Sequence, residues 1–408
     1  MRSVRPALIT FLTLALGAAS CGGQSSSDLV LSSDPELAAL AAELLPDLAL
    51  RAGMELSRPV RLEKRSRSEL VRYLETKLDQ DLPVAEARSR AQVYAFLGLV
   101  EPDMDLRAEL LALYTEQVAG FYEPDSMALF VMDDQPEAAI EALLIHELVH
   151  AVQDQNVPLR ELTDRERGND RATAAMAAIE GHATLVMFEY LTEQLTGAAI
   201  DLSELPDFEA QIRPALEGMN QQFPALAEAP RVIRESLLFP YVDGAVFVQR
   251  LWSNGDRQNP FGARLPNSTE QILNAAAENP LNLGVEVLRG DVLLSDVLGS
   301  LELRILLEDV LGLRYGNGAQ DDAEALAAHW DGDRYVLVRS SSGVGLAWVT
   351  VWSDDQARDR FVSLVQNSGQ GFGSPTSIIR IEVDGRPAAL LRSGDEAFEV
   401  SFAAIDPA

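Results

Sequence analysis

The chain has 408 residues, enough for two or three domains and a sizeable core. Hydrophobic residues make up 47% and charged residues 24%, an ordinary globular balance. The net charge of −30, from 63 acidic against 33 basic residues, argues against nucleic acid as a partner, which needs a basic footprint, and against docking on an anionic lipid surface.

The first residues read as an export signal. Arg2 and Arg5 precede "ALITFLTLALGAA", an apolar run of thirteen that is too short to span a bilayer unaided. The run ends at "AASC", and Cys21 is the only cysteine, so no intrachain disulfide is available. The polar "GGQSSS" that follows suits a flexible tether. This pattern resembles a bacterial lipoprotein signal, although Ala18 stands where leucine is usual. It implies a signal peptide over 1–20, a tether over 21–33 beginning at a lipidated Cys21, and a membrane partner reached through that anchor. A plain secretory signal with an idle thiol is the alternative.

"DPELAALAAELLPDLALRAG" predicts a helix with Asp34 as N-cap and Pro35 at its first position. "RPVRLEK" suits a short strand. "SRSELVRYLETKLDQDL" predicts an amphipathic helix capped by Ser66 or Ser68, and two more helices follow in 84–100 and 105–120. "GFYEPDSMALFVMDD" reads as a β-hairpin turning at Pro124 and Asp125. A helix from about Glu137 to Asp154 comes next, then the charged loop "NVPLRELTDRERGND". Further helices are expected over 171–197, 203–226, 229–253 and roughly 294–311. The polar "RYGNGAQDDAE" suggests a boundary. Beyond it "RYVLVRS", "GLAWVTVWS", "SIIRIEV" and "PAALLRS" read as strands, with one helix, "DDQARDRFVSLVQN", among them. The expected division is 34–315 and 322–408, the second a small α+β domain of unknown role.

The helix after the hairpin carries "LLIHELVHAVQD". His146 and His150 are four residues apart, on one face, and can aim ring nitrogens at one ion. Glu147 is the next residue round and can reach a water on that ion. H-E-x-x-H on a helix is the arrangement used for zinc hydrolysis of peptides. The helix is apolar on nearly every side, so it is expected to be buried. Buried imidazoles and carboxylates need partners, which a metal would supply. A catalytic zinc needs a third protein ligand. The next helix offers Glu180 among the small residues Ala177, Ala178, Gly181 and Ala183, a face that permits close helix approach. His182 is the rival ligand, but it lies about 200° round the helix from Glu180, so both cannot face one ion.

H-E-x-x-H followed roughly thirty residues later by E-G-x-A resembles a gluzincin-type zinc metallopeptidase. More narrowly, "HELVHAVQDQ", "EGHA" and "STEQIL" resemble a group of largely uncharacterised bacterial predicted metallopeptidases, over about residues 105–275. The resemblance implies a mostly helical α+β fold with a zincin-like metallopeptidase domain. It implies Zn2+ on His146, His150 and Glu180, and Glu147 as general base and proton shuttle. Tyrosine or histidine stabilises the oxyanion in related gluzincins, which points to Tyr241, with Gly244 permitting close approach. The long metzincin motif is missing its third histidine, and peptide deformylase needs a cysteine that Cys21 cannot supply.

Three further expectations remain. Asp154, one turn beyond His150, can accept from a ligand histidine or face solvent. "FVMDD" can be an edge strand that pairs with extended substrate. His329 suits a surface or packing position. The expected function is an exported, lipid-anchored zinc metallopeptidase acting on a peptide or protein. The alternatives are a catalytically silent, surface-tethered binding or assembly lipoprotein on that scaffold, and a metal hydrolase of non-peptide amides.

Overall fold

The computed structural model describes residues 29–206, 208–220, 223–255, 257–274, 278–313, 322–368 and 371–406. The export signal, Cys21 and the tether up to residue 28 lie outside the described residues, as does most of the polar stretch expected to separate the domains.

Local signals set the N-terminal elements. β1 (Val30–Ser32) leads to α1 (Pro35–Arg51), where the Asp34 carboxylate accepts from the Glu36 and Leu37 amides at 3.1 Å. β2 (Val60–Arg65) precedes α2 (Arg67–Asp81), which opens on a reciprocal capping box between Ser66 and Glu69. Ser66, not Ser68, is the cap. After α3 (Val84–Phe96) and α4 (Leu106–Gln117) comes the hairpin of β3 (Gly120–Glu123) and β4 (Ala128–Met132).

These strands form one sheet in the order β1-β2-β4-β3, parallel except for the hairpin pair. The expected edge at "FVMDD" is therefore corrected. β4 is buried at all five positions and pairs on both sides, because β2 takes its outer flank. The hairpin's edge strand is β3, and β1 is the sheet's other edge.

α5 (Glu137–Asn156) packs on this sheet and on α1. α6 (Leu159–Leu162) and a 3-10 turn at Arg165–Arg167 lead to α7 (Asn169–Thr196). The helix expected over 203–226 is broken into a 3-10 turn, α8 (Phe208–Asn220) and α9 (Pro224–Glu228). Pro224 lacks an amide hydrogen and so restarts a helix instead of continuing one. α10 (Arg231–Ser253) then crosses α7 with the two backbones in close contact. A Cβ at Gly181 would stand 2.1 Å from the Gly244 carbonyl carbon, and one at Gly244 would stand 2.2 Å from the Ala177 oxygen. Only hydrogen fits at either position.

After the single turn α11 (Thr269–Leu273) the chain enters its second sheet. The elements are β5 (Leu283–Arg289), β6 (Asp291–Asp296), α12 (Gly299–Asp309), α13 (Ala323–Ala327), β7 (Trp330–Arg339), β8 (Val344–Trp352), α14 (Asp355–Asn367), β9 (Thr376–Val383), β10 (Arg386–Gly394) and β11 (Glu399–Ala404). The order is β6-β7-β8-β10-β9, all antiparallel, and β5 pairs separately with β11. The sheet thus begins before the polar stretch expected as a boundary. Residues 294–296, expected at the start of a helix, belong to β6. Gly290, at φ 114°, makes the turn between β5 and β6 in a conformation that side chains resist. α12 packs on α7, α10 and α11, and one buried apolar cluster runs from Val30 to Leu391. The fold is α+β and mostly helical, as expected.

Candidate metal centre

Burial of the apolar side of α5 delivers the polar side to the site. Leu144, Ile145, Leu148, Val149 and Val152 are fully buried, each worth about 1.5–3 kcal/mol relative to exposure. His146 and His150 are carried in with them, their Nε2 atoms 3.1 Å apart. Glu180 on α7 completes the group: its Oε2 lies 3.0 Å from His146 Nε2 and 3.2 Å from His150 Nε2. The three atoms form a nearly equilateral triangle. Ligands of a tetrahedral zinc with bonds of about 2.0–2.1 Å stand about 3.3–3.4 Å apart, so a small outward movement of the side chains accommodates the ion.

The direction of one lone pair is fixed by a neighbour. Gln153 Nε2 lies 3.0 Å from the Ile179 carbonyl, which can only accept, so that end of the amide is the donor. Gln153 Oε1 then faces His150 Nδ1 at 2.8 Å, and Nδ1 must donate. A neutral His150 therefore carries its lone pair on Nε2, aimed at Glu180 and His146. Such an outer hydrogen bond is what orients metal-binding histidines. From sequence, Asp154 is open to this role or to a place facing solvent. Asp154 instead accepts from the Tyr122 hydroxyl at 2.7 Å and pairs with Arg58 at 3.2 Å.

The electrostatics favour a cation at the triangle. Burial disfavours charge on His150, yet the Glu180 carboxylate outweighs it and pushes the imidazole up to about 9. Burial would raise Glu180, but His150 and His146 hold it well below the usual carboxylate range. A proton is the smallest cation this group can share, and a divalent metal would displace it.

Glu147 is buried beside the triad. Its Oε2 accepts from the Tyr122 amide of the edge strand β3 at 2.8 Å, leaving Oε1 without a hydrogen bond among the described residues. Tyr241 on α10 reaches the same place from the other side. Its ring centroid is 6.0 Å from that of His146, it lines a cleft with Glu180, and it is 39% exposed. The charge on Glu180 first, then burial, raises its phenol well above the usual value. The α7–α10 crossing at Gly181 and Gly244 places it there, one turn before Gly244.

His182 does not join them. It is fully buried, edge-on to the Trp252 and Phe261 rings, and its Nδ1 accepts from Gln153 Nε2 at 3.0 Å. Burial pushes it down to about 3, so it stays neutral. His329 is distant in role: its Nδ1 contacts Ser353 and Asp354 at the surface. Among the described residues, His146, His150 and Glu180 are the one group of three with converging ligand atoms.

Gln153 and Tyr122 were missed from sequence. Gln153 had a signal, an amide within hydrogen-bonding spacing, three residues after a ligand histidine on α5. Tyr122 had none, because its contribution is a main-chain amide.

A family described as a domain of unknown function (DUF8575) matches residues 287–400. That span covers the second sheet and leaves α5, α7 and α10 outside it. No curated protein and no solved structure matches the chain.

Proposed function

We propose that the protein is a zinc-dependent metallopeptidase that hydrolyses peptide bonds in peptides or proteins. The observation that carries this is the convergence of His146 Nε2, His150 Nε2 and Glu180 Oε2 on one point, with Glu147 beside them and a cleft in front. A zinc ion held there supplies a Lewis acid that polarises a carbonyl and acidifies water to near neutrality.

The chain's own groups do the rest. Tyr122 holds one oxygen of Glu147, and the other, without a hydrogen bond among the described residues, is left to meet a water at the site. That oxygen takes a proton from water as the new carbon–oxygen bond forms. It then hands the proton to the departing amine nitrogen as the carbon–nitrogen bond breaks. The Tyr241 hydroxyl donates to the developing oxyanion. β3 offers an edge on which an extended peptide can lie. We further propose export and lipid attachment at Cys21. No helix among the described residues is long and apolar enough to cross a membrane, so stable attachment would rest on acyl chains.

Two measurements on the same sample test the chemistry. Purified protein should contain one zinc per chain, and Glu147→Gln should keep that zinc while hydrolysis falls about 10²–10⁴-fold. A Glu147→Gln variant that cuts as fast as wild type would refute the mechanism. A zinc-loaded wild type that cuts nothing in a diverse peptide library would refute the peptidase reading. For the anchor, mass spectrometry of the N-terminal peptide should show acyl mass on Cys21.

A further inference from the structure

The cleft beside the triad has a volume of about 290 Å³. One wall is a single stripe of α7, with Asn169, Thr173, Met176 and Glu180 three to four residues apart. The first half of α10 forms the facing wall, from Ser236 to Tyr241. Glu180 and Asn169 are eleven positions apart on one helix, so the cleft runs about 16 Å from the triad to the start of α7. An extended peptide advances about 3.3 Å per residue, so roughly four or five residues span that length.

Two arginines line the far end, and they differ. Arg90 is buried between Asp296 at 2.9 Å and Glu86 at 3.2 Å, so its charge is answered from within the protein. Arg165, on the 3-10 turn, is exposed, and its side chain makes no hydrogen bond or ion pair among the described residues. Of the two arginines that line the cleft, Arg165 is the one left without a carboxylate. Around it lie neutral hydrogen-bonders such as Thr163, Thr173 and Ser236, and the acids that line the cleft's far end and the adjoining cavity are taken up elsewhere: Asp296 by Arg90, Asp170 by Thr269, and Glu302 by Tyr94 and Asn169.

We propose that Arg165 binds a carboxylate of the substrate, directing the enzyme to peptides with an acidic side chain or a free C-terminus within about five residues of the bond to be cut. This rests on the metallopeptidase reading. The planar fork of guanidinium matches carboxylate with two parallel hydrogen bonds, and the cleft walls shield the pair on one side.

The test reads binding, so that it survives failure of the chemistry. Zinc-loaded Glu147→Gln is titrated, by fluorescence anisotropy, with labelled alanine-rich dodecapeptides. Each carries one Glu or one Gln, scanned along the peptide, with a free or an amidated C-terminus. The carboxylate-bearing member of the best pair should bind about tenfold tighter or more. That ratio should collapse toward one when Arg165→Ala is added, and Arg165→Glu should favour peptides bearing lysine instead. A preference that follows Glu over Gln assigns the side chain, and one that follows the free end assigns the terminus. Equal binding of all peptides, no binding, or a preference that survives Arg165→Ala overturns the inference. A preference of this kind in a protein whose wild type cuts nothing would sink the peptidase reading and leave the carboxylate site standing.

Discussion

Asp170 and Glu180 lie ten residues apart on α7, both carboxylates, both taken out of water, and their surroundings drive them opposite ways. At Glu180, burial works against charge, but two imidazoles outweigh it and hold the carboxylate ionised. At Asp170, burial raises the carboxyl, and Asp333 and Asp296 push the same way against hydrogen bonds from Thr269. The balance is about 7. Neighbours of Asp170 behave likewise: burial lifts Glu302 to about 8 and Asp333 to about 6. The second region has more buried acid than the first, yet its donors diverge. Asp333 accepts from the Leu298 and Gly299 amides, Asp170 from Thr269, and Glu302 from Tyr94 and Asn169. Asp170 thus ties α7 to α11, Asp333 ties β7 to the start of α12, and Glu302 ties α12 to α3 and α7. Buried acid alone does not make a metal site; ligand atoms must converge on one point.

The largest effect should come from breaking the convergence. Glu180→Ala should take zinc from one per chain to near none, with hydrolysis lost alongside it. Asp170→Ala, on the same helix, should unfold more easily yet keep its zinc. Plasma mass spectrometry of the two purified variants decides the matter. A metal-free Asp170→Ala beside a zinc-loaded Glu180→Ala would reverse the assignment of the two regions.

A smaller effect should follow from disturbing the direction of one lone pair. Gln153→Leu removes the acceptor that holds the proton on His150 Nδ1 and the donor to His182, while every ligand remains. Zinc affinity, measured by competition with a chelator of known strength, should fall about 10–100-fold. Asp154→Asn, which disturbs Tyr122 and Arg58 instead, should change it far less. If Asp154→Asn weakened zinc as much as Gln153→Leu does, the outer hydrogen bond would have been given to the wrong residue.

What the sequence disclosed was mainly what a helix's own spacing decides. Asp34, Ser66 and the hairpin at Pro124 act within a few residues, so each shows in the order of letters. His146 and His150 are neighbours through one turn, and Glu180 follows from its small-residue setting together with a family resemblance. Pairing across the chain was harder. Which flank of the hairpin is the edge depends on β2, some sixty residues earlier, and β5 depends on β11 at the other end. The close approach foreseen at Gly181 is real, but it is made with Gly244 of α10. The buried acids of the second region look like surface charge in a chain this acidic. Only the folded arrangement shows that they are inside.

The mildest test separates the regions by pH. The folded value of about 7 at Asp170 exceeds its ordinary 3.8. Between those values the folded state binds more protons than the unfolded one. Stability from this group is therefore present at low pH and lost as pH rises from about 4 to about 7, then levels off. Asp170→Asn keeps an oxygen for Thr269 and removes the titration. Relative to wild type, the variant should gain stability between pH 4.5 and pH 8, by an amount on the order of a few kcal/mol. Urea unfolding at both pH values measures it. The His150–Glu180 pair titrates in both proteins and cancels in the difference, while Glu302 and Asp333 leave a residual slope in each. Parallel stability profiles for wild type and Asp170→Asn would mean that Asp170 ionises freely where it sits. The contrast with Glu180 would then be one of position and not of charge.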